Sequence, residues 1–171
     1  MSHKFLIAYA TRTGTTAEIA ETIARTLAAR GETVEVLPFE GVTDLSRYDG
    51  VLLGSAVRFG QWLPEAQKFV EAHSADLGRR PTAIFTVHGL NLGDDETSRS
   101  QRQAYLTGVR NFVQAKTEGF FAGKIDLSKL KFFERVLAKA VKGAGVSQVD
   151  LEAVRSWTED VYGKLLATGQ A

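Results

Sequence analysis

The spacing of apolar residues changes several times along the chain between a pattern typical of buried strands and one typical of amphipathic helices. Residues 5–10, Phe-Leu-Ile-Ala-Tyr-Ala, form a continuous apolar run of the kind found in strands buried on both faces of a parallel sheet. After a short loop, Ile19, Ile23 and Leu27 recur at helical spacing, with charged residues on other faces. The pattern predicts a strand, a loop and a helix at the start of the chain.

The same alternation continues along the rest of the chain. Further strands are predicted at Thr33–Leu37, Gly50–Ser55, Pro81–Val87 and Gly119–Gly123. Helices are predicted in a segment that Pro64 opens, at Arg99–Val113, around Phe132–Val141 and around Leu151–Leu166. The second strand alternates polar and apolar residues, which is typical of an edge strand.

Strands that alternate with helices predict a parallel sheet covered on both faces and wound by right-handed crossovers. Five such strands fit the doubly wound α/β order 2-1-3-4-5, in a single domain that spans residues 1–171. In that order the chain reverses direction between strands 1 and 3, and ligands bind beyond the carboxyl ends of the strands there. The loops after strands 1, 3 and 4 are therefore the predicted functional region.

Composition and charge narrow the classes of function. The chain has 171 residues, is 44% hydrophobic and contains no cysteine, which excludes disulfides, thiolate catalysis, iron–sulfur clusters and cysteine-bound zinc. We expect no metal site. We also expect a cytoplasmic protein, because no long apolar run is present and the first strand begins too early to leave room for a signal peptide. A net charge of +1 argues against a nucleic-acid binder and against a strongly acidic carrier.

The loop after the first strand, Thr11-Arg12-Thr13-Gly14-Thr15-Thr16, combines hydroxyls with a glycine at the start of a helix, and we call it the hydroxyl loop. Helix N-termini present unpaired N–H groups and a partial positive charge, so they attract anions. The loop lacks the lysine of a P-loop, and no G-x-G-x-x-G motif follows the first strand. Neutral donors without a lysine favour a terminal monophosphate. The alternative is that Thr15 or Thr16 merely caps the helix.

Two later loops are equipped for a flat ligand. The loop after strand 3, Ser55-Ala56-Val57-Arg58-Phe59-Gly60 followed by Trp62, offers small residues, a cation and aromatic rings for stacking. The loop after strand 4 is His88-Gly89-Leu90-Asn91-Leu92-Gly93, in which glycines flank Asn91. The alternative is a pair of ordinary surface loops whose aromatic residues cover a helix end.

Together the three loops resemble the flavodoxin family. The T-x-T-G-x-T phosphate motif of that family is matched by Thr11, Thr13, Gly14 and Thr16. The order of elements also matches along nearly the whole chain. The resemblance implies that the cofactor is FMN, with its phosphate at Thr11–Thr16 and its isoalloxazine ring between the loops at Ser55–Gly60 and His88–Gly93.

Other segments resemble the menaquinone-dependent protoporphyrinogen IX dehydrogenases, a flavodoxin-like branch of haem biosynthesis. These segments are Arg58-Phe59-Gly60, Phe121-Ala122-Gly123, Lys131-Phe132-Phe133-Glu134-Arg135 and Trp157. The resemblance implies an FMN-dependent oxidoreductase with a small-molecule substrate and a quinone acceptor. Arg58 is a candidate for stabilising the reduced flavin or for pairing with a substrate carboxylate. His88 is a candidate acid or base, and the alternative is a structural histidine.

Other classes of function fit a doubly wound fold. One is a flavodoxin-type electron carrier without its own substrate, although the near-neutral charge disfavours the acidic docking surface of such carriers. Another is a domain without cofactor that serves as an interaction module. A response-regulator receiver is disfavoured because Thr11 and Ser55 stand where that fold needs carboxylates.

The predicted helix around Lys131–Lys142 has a basic and an apolar side. Its cations are Lys131, Arg135, Lys139 and Lys142. One interpretation is an ordinary surface helix with a solvated cationic face. The sharper hypothesis is a peripheral contact with anionic lipid headgroups on the inner face of the membrane, which would bring the flavin near membrane quinone.

Overall fold

The computed structural model describes residues 2–123 and 149–167, and its central feature is a parallel β-sheet. The strands are β1 (Lys4–Ala10), β2 (Thr33–Pro38), β3 (Gly50–Arg58), β4 (Gln61–Trp62), β5 (Thr82–His88) and β6 (Thr117–Ala122). Neighbours in the order β2-β1-β3-β5-β6 pair in parallel, which confirms the predicted order 2-1-3-4-5 and the edge position of the second strand. The short β4 pairs antiparallel with the end of β3 and is too short for a sequence period to predict.

Helices lie on both faces of this sheet. They are α1 (Thr15–Ala28), α2 (Pro64–Ala72), α3 (Ser74–Leu77), α4 (Glu96–Ala104), α5 (Thr107–Arg110) and α6 (Leu151–Ala167), with a 3-10 turn at Phe39–Gly41. Phe5 and Ile7 of β1 pack in one core cluster with α1 and α6, whereas Leu6 and Ala8 pack in a second cluster with α2 and α5. Both faces of β1 are therefore buried, which explains its continuous apolar sequence.

The prediction of a single helix over Arg99–Val113 is wrong. Two helices, α4 and α5, occupy this region, and Tyr105 and Leu106 lie between them. No residue of α4 is buried, whereas Tyr105, Leu106 and Val109 all are. The apolar stripe begins only where α4 ends, so the chain turns there to bring these side chains against the sheet. The helix predicted around Phe132–Val141 lies outside the described residues.

The register of the sheet brings the carboxyl ends of β1, β3 and β5 together. Ala10 pairs with Ser55, and Ser55 in turn pairs with Thr86. Close packing here depends on Gly54, because a Cβ at that position would lie 2.0 Å from Cζ of Phe85. The three loops that follow these strands therefore leave the sheet at one edge, where a doubly wound fold binds its ligand.

Candidate functional site

The first part of the candidate site is the entry to α1, where the hydroxyl loop leaves β1. Gly14 is the N-terminal cap of α1 with a φ of 87°, and no side chain caps the helix. The first helical hydrogen bond runs from the N–H of Glu18 to the carbonyl of Gly14, at 3.1 Å. The N–H groups of the preceding residues have no partner within the helix, so they are available to an anion.

The threonine hydroxyls at this entry remain available as well. Thr16 is fully buried, and its Oγ1 has no hydrogen-bond partner within the described residues. Thr15 is 5% exposed, and its Oγ1 lies 3.3 Å from Oγ1 of Thr13. The alternative in which Thr15 or Thr16 merely caps the helix is therefore wrong. Since a buried polar group without a partner costs about 1–3 kcal/mol, the Thr16 hydroxyl points to a ligand that supplies the missing bond.

Two other residues of the hydroxyl loop shape it. Oγ1 of Thr11 accepts a hydrogen bond from the N–H of Gly14 at 3.0 Å, which closes the turn. Arg12 forms a two-pronged ion pair with Glu65 in the first turn of α2, with 3.0 Å between Nη2 and Oε2. The hydrogen bonds from Arg12 hold the pKa of the Glu65 carboxyl below its usual value. The guanidinium thus ties the loop to α2.

The second part of the site is the hairpin that joins β3 to β4. Phe59 (φ 53°) and Gly60 (φ 74°) form its two-residue turn, both in the left-handed region, as in a type I′ turn. Phenylalanine rarely adopts this conformation, and Phe59 is 82% exposed. The guanidinium of Arg58 lies 5.1 Å from the centroid of the Phe59 ring. The hairpin therefore holds an aromatic ring and a cation together in solvent.

The base of this hairpin is buried, which corrects the prediction for Trp62. Its side chain is 1% exposed, and its indole N–H donates to Oγ1 of Thr86 at 2.9 Å. The expectation that Trp62 stacks on a ligand ring is therefore wrong, because the indole is part of the core. Ser55 is buried too: its hydroxyl donates to the carbonyl of Ala56 (2.8 Å) and accepts from the N–H of Leu63 (3.0 Å). The Ser55 side chain thus stabilises the hairpin.

The third part of the site is the loop after β5, residues 88–93, which adds apolar surface. Leu90 is 52% exposed and Leu92 is 45% exposed, and Asn91 between them has a φ of 58°. Within the described residues, Phe59, Leu90 and Leu92 are the large apolar side chains that are exposed, and all three lie in these two loops. Apolar side chains gathered in this way indicate a binding surface.

Helix α4 holds the 88–93 loop in its conformation. Nη1 of Arg102 donates to the carbonyl oxygens of Asn91 and Gly93, the second at 2.7 Å. Nδ2 of Asn91 donates to the hydroxyl of Tyr105 at 2.6 Å. Sequence reasoning missed Arg102 and Tyr105 as site residues, because it placed Tyr105 in an apolar stripe and had no signal for a side chain that binds loop carbonyls.

His88 ends β5 directly before this loop, and it is 5% exposed. Its Nδ1 lies 2.7 Å from the carbonyl oxygen of Leu90, and since a carbonyl only accepts, Nδ1 carries a proton. Burial lowers the pKa of the imidazole, which favours its neutral form. The ring also packs near Tyr105 and Phe120, with centroid distances of 6.0 and 6.3 Å. These contacts favour the structural interpretation of His88 over the catalytic one.

The remaining predicted site residues lie beside these three parts. Ala56, Val57 and Gly89 are half-buried, and Gly93 is exposed. The edge of the sheet thus brings a cradle of hydroxyl and N–H donors close to two loops with apolar side chains. This arrangement fits a ligand that combines a terminal phosphate with a flat ring.

Two other expectations concern metals and membranes. The part of the chain that the structure describes contains no group of three or more side chains that could hold a metal ion. Among the helices of residues 2–123 and 149–167, none has the length and apolar character needed to cross a bilayer. The basic helix predicted around Lys131–Lys142, with its hypothetical lipid contact, lies outside the described residues.

Comparison with known sequences points to one family. A family model described as a flavodoxin domain matches residues 6–150. A relative from Leishmania major named protoporphyrinogen IX dehydrogenase (quinone) is 30% identical over 146 residues, which cover 82% of this chain and 62% of that relative. The chain therefore spans less than two thirds of the length of that protein. A relative of the same name from Escherichia coli strain K12 is 25% identical over 151 residues, covering 86% of this chain and 83% of the relative.

Comparison with solved structures shows the same fold. Flavodoxin 1 from Bacillus cereus superimposes with a TM-score of 0.61 at 14% identity, covering 94% of this chain and 97% of that one. A flavodoxin from the domain Archaea superimposes with a TM-score of 0.60 at 16% identity, covering 95% and 99%. At these identities the likeness establishes the fold alone.

Proposed function

The chain belongs to the flavodoxin family and binds FMN, and on that premise we propose that it is a dehydrogenase that oxidises protoporphyrinogen IX and reduces a quinone. FMN supplies the redox chemistry when bound, since it accepts electrons from one molecule and donates them to another. The names of the two curated relatives support the substrate and the acceptor. In this role the protein acts in haem biosynthesis.

The observation that carries the FMN site of this proposal is the buried Thr16 hydroxyl at the N-terminus of α1, which has no hydrogen-bond partner within the described residues. The phosphate of FMN would accept hydrogen bonds from Thr16, from the neighbouring hydroxyls of Thr13 and Thr15, and from the free N–H groups of the first helical turn. The helix N-terminus favours the negative charge of the phosphate. Arg12 is occupied by Glu65, so neutral donors provide most of this site.

The isoalloxazine ring would lie between the hairpin that carries Phe59 and the loop that carries Leu90 and Leu92. These side chains remove water from the ring, which strengthens the electrostatic interactions around it. Arg58 at the hairpin tip has two possible roles in such a site. Its guanidinium can donate to the anionic edge of the reduced flavin or to a carboxylate of the substrate.

The charge of the protein favours an enzyme over an electron carrier. A flavodoxin-type carrier docks on basic partner proteins through an acidic surface, whereas this chain has a net charge of +1. The near-neutral net charge, together with the exposed apolar side chains of these two loops, suits a small-molecule substrate and a lipid-soluble quinone better.

An anaerobic assay tests the proposal directly. Protein loaded with FMN is mixed with protoporphyrinogen IX and a soluble menaquinone analogue, and porphyrin is detected by its fluorescence. We expect porphyrin to form only when the quinone and the FMN-loaded protein are both present, and the FMN-free protein is the control. Fast electron exchange with a flavodoxin reductase, without porphyrin formation, would instead identify an electron carrier.

A further inference from the structure

A groove of about 490 Å³ lies between the β3–β4 hairpin and α2, next to the proposed FMN cleft. Its lining includes the hairpin tip, part of the hydroxyl loop and the exposed side of α2: Arg58, Phe59, Arg12, Gln67, Lys68 and Glu71. No residue of the 88–93 loop and no threonine of the hydroxyl loop lines it. The groove is thus distinct from the cleft that would hold FMN, and it shares with that cleft the hairpin tip.

We propose that this groove binds the carboxylates of the tetrapyrrole substrate through Arg58 and Lys68. The inference rests on the proposed function and gives the substrate a position on the protein. It also chooses between the two roles of Arg58: the guanidinium binds a carboxylate of the substrate and does not stabilise the reduced flavin.

The charges around the groove support an acidic ligand. Arg12 is already paired with Glu65. Within the described residues, neither Arg58 nor Lys68 forms an ion pair. Among the described residues that line the groove, Glu71 is the one carboxylate, so Arg58 and Lys68 leave a surplus of positive charge. Guanidinium and ammonium groups bind carboxylates through charge-assisted hydrogen bonds, which are stronger than neutral ones.

The position of Phe59 links these cations to the reacting part of the substrate. A tetrapyrrole is a broad apolar ring system with acidic side chains at its edge. Because the Arg58 guanidinium lies 5.1 Å from the Phe59 ring centroid, a carboxylate bound to Arg58 brings the attached ring system against Phe59. Phe59 is 82% exposed and belongs to the hairpin next to which the isoalloxazine ring would lie, so the bound ring system would lie beside the cofactor.

Porphyrin binding tests the assignment. The probes are protoporphyrin IX, the stable oxidised product, and its dimethyl ester, which has the same ring system without free carboxylates. Binding to the FMN-loaded protein is followed by quenching of protein fluorescence in mild detergent. Arg58→Gln and Lys68→Gln each remove one cation, and Arg79→Gln, an exposed arginine at the opposite end of the sheet, is the matched control. We expect about tenfold weaker binding of the diacid in each groove variant. We expect no change for the ester, and no change in the control.

Turnover separates this inference from the proposed function. We expect the groove variants to raise KM for protoporphyrinogen IX while they bind FMN as tightly as the wild type does. If a variant that combines Arg58→Gln with Lys68→Gln turns over substrate with an unchanged KM and binds the diacid normally, the groove assignment is wrong and the proposed function stands. If Arg58→Gln weakens FMN binding or shifts the flavin potential without affecting porphyrin binding, Arg58 serves the flavin and the assignment is overturned. A wild-type protein without turnover refutes the proposed function, and this inference with it.

Discussion

The hydroxyl loop and the 88–93 loop lie at the same edge of the sheet, but they are held by different means. In the hydroxyl loop, Thr11 closes the turn on Gly14 three residues later, and α1 begins at once. In the 88–93 loop, the conformation depends on Arg102 and Tyr105, which come from α4 and the turn after it. The proposed phosphate cradle is thus built from a contiguous segment, whereas the proposed surface for the ring needs a separate element packed against it.

This difference predicts that the two halves of FMN can be tested separately. FMN carries the phosphate and the ring, whereas riboflavin carries the same ring without the phosphate. A change in the hydroxyl loop should affect FMN binding alone, and a change in the support of the 88–93 loop should affect both ligands.

Thr16→Val should have the largest effect, because it removes the buried hydroxyl and keeps the shape of the side chain. We expect FMN to bind about 10- to 150-fold more weakly, the usual range for a lost hydrogen bond to a charged group. Riboflavin binding should not change. The free energy of unfolding of the FMN-free protein should stay the same or rise, since an unpartnered polar group is removed from the interior.

The matched control is Thr22→Val in the same helix, where the hydroxyl already donates to the carbonyl of Glu18 at 3.0 Å. It should leave the affinity for FMN unchanged. Titration of flavin fluorescence measures both affinities, and urea unfolding measures stability. Equal FMN affinities in Thr16→Val and the wild type would show that the phosphate does not bind at the entry to α1.

Arg102→Ala should weaken FMN and riboflavin to the same extent, by about tenfold, because the carbonyl groups of Asn91 and Gly93 lose their donor and the loop loses its shape. Arg99→Ala, which removes an exposed arginine from the same helix, is the control and should change neither affinity. A variant that weakened FMN alone would contradict the division between the two loops.

Arg12→Gln should have a smaller effect, although this residue lies within the phosphate motif. Its guanidinium pairs with Glu65, and exposed ion pairs of this kind contribute about 0–1 kcal/mol. We expect FMN affinity to fall by less than about threefold, and its dependence on salt to stay the same. A loss of tenfold or more, removed by high salt, would show that Arg12 leaves Glu65 and binds the phosphate.

The smallest expected effect is a loss of stability in mild acid, caused by protonation of His88. Burial lowers its pKa in the folded protein below the usual value of 6.5, so the unfolded chain takes up the proton first. The free energy of unfolding therefore falls as the pH drops below 6.5 towards the lower pKa of the folded state. Three carboxyl groups have a lowered pKa as well, but their protonation reduces the free energy of unfolding only below their usual pKa of 4.5. They belong to Glu32, Glu35 and Glu65.

Urea unfolding at about pH 7.5 and 5.5 measures this effect. The wild type should lose more stability between the two conditions than His88→Gln does, because glutamine does not titrate. If both proteins lose the same amount, the imidazole of His88 is not responsible for the acid sensitivity of the fold.

Much of the fold follows from local patterns in the sequence. The apolar runs at Phe5–Ala10 and Gly50–Ser55 predict buried strands, because a strand covered on both faces has apolar residues at every position. The structure places both strands in the middle of the sheet. The helix break at Tyr105 was not predictable in this way. The apolar residues from Tyr105 to Val113 have helical spacing that the polar residues before them can continue, and only the structure shows that α4 has no buried residue and ends before Tyr105.

The same division applies to the candidate site. The hydroxyl loop was predictable because a phosphate cradle needs hydroxyls, a glycine and a helix start that follow one another in the chain. The role of Trp62 was not predictable, because the sequence pattern around an aromatic residue near a predicted ligand ring is the same whether the residue faces the ligand or the core. Its indole N–H reaches Thr86 of β5, which is 24 residues later, and only the folded structure, in which β4 turns back to pair with β3, reveals that contact.

The strand order followed from the sequence alone, and so did the predictions that a ligand binds at this edge of the sheet and that the first loop holds a phosphate. Each of these depends on residues that are close together in the chain, or on topological rules that hold for all alternating strands and helices. Which side chains can reach a ligand at that edge became clear only from the folded structure. Within the described residues Thr16 is buried without a hydrogen-bond partner, Arg12 is occupied by Glu65, and Phe59 is exposed, because these properties depend on packing between elements that are distant in the chain.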